Sequence, residues 1–288
     1  MATCTLAGMA LRTPIYLDAE TLFAQAEYHD LAVPQQAEIV EKTTNKRSAS
    51  GNAAFPGVGG ASAGVGRDVE LQSTYTLTPS HKATVSKLID SLIKNGEVKV
   101  NPDGNTPLGK DDLVELDGRT RITAASLAGK MFHIIRRLTD GISDVDGLTD
   151  LDADSPEVAA QLKQVYLQNE LLPIPILLEM TETGLPQKAY VSLRPSHFVE
   201  LASADRVERE LRVLGTVTHL VDDSPDGYFS AEEWLLHGYE YLFRRLLMTQ
   251  VNDVVKKLVN DIGLDLPAND VHGFIAGPAI VVDGIAVY

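Results

Sequence analysis

The sequence predicts an α+β fold of mixed, mainly antiparallel strands, with several helices and a long C-terminal helix. Three observations predict it. Apolar and polar residues alternate over 69–77, and the Val- and Thr-rich run at 211–221 has the composition of a strand. Apolar residues recur at helical spacing at Leu22, Phe23 and Ala26, and again at Val85, Leu88, Ile89, Leu92 and Ile93. The most sustained helical series runs from Trp234 and Leu235 through Tyr241, Leu242, Leu246, Leu247, Val254 and Val255 to Leu258.

In order along the chain, 18–41 reads as helix with a break at Pro34. The run 48–66, SASGNAAFPGVGGASAGVG, carries no charge and buries too little area to hold a core. After the strand at 69–77, Thr78 as cap and Pro79 in the first turn open a second helix, and Gly96 is placed to end it. The stretches 97–100 and 113–122 read as strands, with turns at Pro102-Asp103-Gly104 and Asp117-Gly118. Residues 124–138 are helical. Asp154 and Glu157, at capping-box spacing, open another helix to Leu172. Strands follow at 174–178 and 189–193, joined by a turn at Gly184-Leu185-Pro186. In the strand at 211–221, Gly215 marks a bulge. A helix is expected over 230–262, then a closing strand, or a hairpin turned at Asp283-Gly284. The acidic segment 140–154 divides the chain into an N-terminal α+β domain, 1–139, with the glycine-rich insertion at 48–66, and a C-terminal α+β domain, 155–288.

The formal net charge of −15 repels a nucleic-acid backbone unless basic residues segregate on one face. The basic pairs Lys46-Arg47, Arg136-Arg137, Arg244-Arg245 and Lys256-Lys257 are instead scattered, so no nucleic-acid partner is expected. Cys4 is the only cysteine, which excludes an intrachain disulfide and a multi-cysteine zinc site. The start of the chain lacks the basic region of a signal peptide, and no stretch is apolar for the roughly 20 residues that a spanning helix needs. The expectation is a cytoplasmic protein, with membrane contact unsupported.

Four motifs bear on chemistry. Asp222, Ser224, Asp226, Tyr228 through its carbonyl and Glu233 have the spacing of calcium ligands in an EF-hand loop, with Gly227 at the sharp turn. A strand precedes them where that motif needs a helix. The bland reading is an acidic turn followed by a helix that Ser230 and Glu233 cap. Ser62, within Gly60-Ala61-Ser62-Ala63-Gly64, matches the nucleophile elbow of serine hydrolases, but it lies in a glycine-rich run and not between a strand and a helix. That run lacks both phosphate-binding fingerprints, and it reads as a loop or as a segment that orders on oligomerisation, against a partner or against lipid. The aspartates at 140–154 lack the glycine and the final acid of a calcium loop, and the seven histidines form no paired ligand motif. No cofactor or metal is expected.

The two ends of the chain add a resemblance. Pro14-Ile15-Tyr16-Leu17-Asp18, the glycine-rich insertion, Gly215-Thr216-Val217, and the closing Gly277-Pro278 with Ile285-Ala286-Val287-Tyr288 together resemble an uncharacterised family of bacterial proteins. One member of that family is the small component of the Dodola phage-defence system. The resemblance implies a non-enzymatic component of antiphage defence that acts in a complex with a ClpB-like AAA+ ATPase. None of these patches is a chemical motif, so no catalytic residue is carried over. The apolar-rich series from Trp234 to Leu258, with the apolar ends of the chain, adds the expectation of self-assembly as a homo-oligomer. The alternative class is a hydrolase, serine-type through Ser62, or a calcium-binding protein.

Overall fold

The computed structural model describes residues 11–32, 41–44, 73–77, 79–138, 172–199, 204–251, 253, 255–256 and 270–288. The elements begin with β1 (Tyr16–Leu17), α1 (Ala19–Tyr28), β2 (Glu41–Thr44), β3 (Ser73–Thr76), α2 (Pro79–Lys94) and β4 (Val98–Val100). Next come β5 (Leu113–Ile122), α3 (Ala124–Leu138), β6 (Ile176–Thr181), β7 (Lys188–Leu193), a 3-10 turn (Pro195–His197) and α4 (Ala204–Val207). The last are β8 (Glu210–Val221), β9 (Tyr228–Ser230), α5 (Glu232–Leu235), α6 (Tyr241–Met248), β10 (Phe274–Ala276) and β11 (Ala279–Val287).

Five of these strands close on themselves. Strand β5 pairs antiparallel with β6, β6 antiparallel with β7, and β7 parallel with β11. Strand β11 pairs antiparallel with β8, and β8 returns antiparallel to β5. Counted in chain order the ring runs 1-2-3-5-4, a Greek-key barrel connected like an OB-fold. Closure leaves these strands few free edges. Strand β4 extends the sheet parallel to β5, and β1 lies antiparallel on the end of β11.

Period-2 alternation sends one set of side chains inside the barrel, among them Val114, Leu116, Ile122, Leu178, Val191, Val213 and Val282. The outward set is covered twice. Helices α1 and α2 pack Leu22, Phe23, Val85, Ile89 and Leu92 against Leu113, Leu214 and Ala286. On the other side, α3 and α5 lay Ala124, Ala128, Trp234 and Leu235 over Leu177, Tyr190 and Val281.

The fold is therefore mainly β, which corrects the expected α+β class with its long C-terminal helix. Within 230–262, Ser230 belongs to a strand opposite Phe274, α5 spans four residues, Gly238 turns the chain at φ +81, and α6 ends at Met248. Tertiary pairing overrides the local helical pattern. The closing segment is a continuous strand with no hairpin, because Asp283 and Gly284 lie opposite Thr216 and Gly215. Strand β5 likewise runs straight through Asp117-Gly118, where Gly118 faces Leu211. Gly215 is paired on both sides. The register shifts fall instead between Val281 and Val282 and between Gly284 and Ala286. Strand β5, from before residues 140–154, pairs with β6 and β8, from after them, so one sheet draws on both expected domains. The segment 140–154 itself, the helix expected up to Leu172 and the run 48–66 lie outside the described residues, apart from Leu172.

Candidate functional site

The residues at the two ends of the chain meet in space. Tyr16 lies opposite Val287 and Leu17 opposite Ala286, and the Asp18 N–H donates to the Ile285 carbonyl at 2.7 Å. Asp18 then caps α1, accepting from the Thr21 N–H at 3.0 Å and the Thr21 hydroxyl at 2.9 Å. The 3-10 turn after β7 brings His197 Nδ1 to 3.4 Å from Asp18 Oδ2 and 3.5 Å from the Tyr16 hydroxyl. The Arg194 N–H donates to that hydroxyl at 3.2 Å, and the Arg194 guanidinium stands 3.8 Å from Asp283 of β11.

Burial alone would raise the Asp18 carboxyl. Bonds from His197 and Thr21, with the attraction of His197, outweigh it and hold Asp18 below the usual carboxylate range. Burial pushes the Tyr16 hydroxyl well above the usual tyrosine range, so it stays protonated at neutral pH. An anion, an imidazole and a phenol thus stand within reach of one another. Asp18 is engaged by a helix cap and Tyr16 by a backbone amide, so the cluster locks β1 and α1 to the barrel.

Two further polar clusters escape a reading of the sequence. Arg121 of β5 donates to Glu179 of β6, its register partner, and to Asp270 at 2.6 Å. Asp270 is almost wholly buried, and the Val271 carbonyl accepts from Ala125 in the first turn of α3 at 2.7 Å. Glu115, also buried, accepts from the Tyr288 hydroxyl and lies 3.7 Å from Arg12. Charged residues inside apolar strands were the available signal. Their partners come from distant segments.

The outer face of β6 and β7 is where OB-type barrels hold ligands. Here Leu177 and Tyr190 of that face are buried, and the Trp234 indole N–H donates to Ser192 Oγ at 3.1 Å. The chain's own helices occupy the platform.

Helix α6 is different. None of its side chains is buried, and Tyr241, Leu242 and Leu246 are 55%, 79% and 63% exposed. Its N-terminal side is anchored: Tyr239 stacks on Phe243 at 5.2 Å, and the Tyr239 hydroxyl donates to the Phe132 carbonyl at 2.9 Å. The helix is held in place while it presents apolar side chains outward.

A family model described as a domain of unknown function, DUF6414, matches residues 11–288. The chain belongs to the DUF6414 family. No curated protein and no solved structure matches it.

In this DUF6414 chain the residues with calcium-ligand spacing are spread over three elements. Asp222, Ser224 and Asp226 lie in the exposed turn after β8, Tyr228 is in β9, and Glu233 is exposed on α5. The Ser224 carbonyl accepts from the Gly227 N–H at 2.9 Å. Among the described residues no three His, Cys, Asp or Glu side chains gather in a group that could hold a metal ion. The capping box is not formed: Ala231 is the N-cap of α5, and Ser230 Oγ accepts from the Glu232 N–H at 3.3 Å. Ser62 lies outside the described residues. Among the described residues, no helix is long and apolar enough to cross a membrane.

Proposed function

We propose that this chain is a non-enzymatic component of a bacterial antiphage defence system, acting through assembly with itself and with a ClpB-like AAA+ ATPase. The observation that carries the assembly reading is α6, a rigidly anchored helix with Tyr241, Leu242 and Leu246 turned outward. Exposed apolar clusters of this kind mark interaction surfaces. The defence reading rests on the resemblance of the chain's ends. The residues that carry it, Tyr16-Leu17-Asp18, Gly215 and Ile285-Ala286-Val287, adjoin one another on β1, β8 and β11. Three polar clusters also favour a binding role, since Asp18, Arg121 and Glu115 are each engaged in joining one element to another. A nucleic-acid role is disfavoured by the net charge of −15 and by the covered β6–β7 platform.

Co-expression with an AAA+ ATPase encoded beside it, followed by co-purification and phage plaque counts, tests this reading. The expected result is a stable complex and protection that needs both proteins. Protection by this chain alone, or no association with the ATPase, would overturn it.

A further inference from the structure

We draw no further inference here: the strongest candidate, the outward apolar face of α6 at Tyr241, Leu242 and Leu246, carries nothing beyond the assembly reading, because exposed Glu240 and Asp253 offset Arg245, Glu232 pairs Arg244, and nothing in the structure shows what covers it.

Discussion

Gly215 of β8 faces Gly284 of β11 across an antiparallel pair, and a side chain at either position would collide with its surroundings. A Cβ on Gly215 would lie 2.4 Å from the Asp283 carbonyl oxygen, whereas one on Gly284 would meet the Leu193 Cδ2 methyl at 2.4 Å. The first obstacle is backbone and the second is the end of a flexible side chain. Gly215 is also paired with Val114 of β5, so a side chain there disturbs a strand held on both sides.

Gly215→Ala should therefore destabilise more than Gly284→Ala. Overpacking costs about 1–3 kcal/mol, and the Gly215 variant should fall at the upper end. Urea unfolding of both variants checks the order. Equal losses would mean that the strands separate easily at this joint.

Much of this barrel was legible locally. The alternation of Leu113–Ile122 and the composition of Glu210–Val221 mark both strands, and the apolar spacing of Ala124–Leu138 marks α3. What local pattern lacks is the partner. Nothing near Gly215 reveals that Gly284 will approach it, so a glycine needed for close contact reads as a bulge. The same blindness makes 230–262 read as one helix: Ser230 joins a strand only because Phe274 arrives opposite it. Asp18 could be recognised as a helix cap from its position, but not as the neighbour of His197, which the turn after β7 delivers.

Arg121 holds two carboxylates at once, Glu179 on the barrel wall and the buried Asp270. Removing it leaves both anions uncompensated, which costs on the order of 3–5 kcal/mol for a buried pair. Arg121→Met should lose stability on this scale. Arg121→Lys should recover only part of it, because a single ammonium cannot reproduce the planar fork. Hydrogen exchange at Ala125, whose amide bonds the Val271 carbonyl, should accelerate in both variants. Unchanged exchange there would show that Asp270 does not fix the 270–276 segment.

The Asp18 carboxyl is depressed in the folded state, so its contribution to stability is present above the usual carboxylate pKa and is lost as pH falls through its lower folded value. Asp18→Ala should cost about 1 kcal/mol at neutral pH, the usual value of an N-cap. That difference from the wild type should shrink below about pH 4, the ordinary range for an aspartate. His197→Ala should narrow the pH dependence, since the His197 bond is one of the interactions that lower the carboxyl. Unfolding curves at neutral and acid pH decide it. A wild-type advantage that persists unchanged in acid would remove the charged cap from the account.

The acidic turn at 222–226 should not respond to calcium. Strand β8 runs to Val221, immediately before Asp222, so no helix enters the loop as an EF-hand requires. Tyr228 is paired opposite Ala276 in β9, and Glu233 stands exposed on a helix of four residues. A bidentate Glu233 would have to swing from that helix onto a turn already braced by the Ser224–Gly227 bond. Calcium at about 100 times its dissociation constant would stabilise a real site by roughly 2.7 kcal/mol. The expected result is an unchanged Tm in the wild type, with Glu233→Gln indistinguishable from it in both calcium and chelator. A calcium-dependent rise in Tm that Glu233→Gln abolishes would mean that the turn rearranges around the ion, and that calcium belongs in the protein's function.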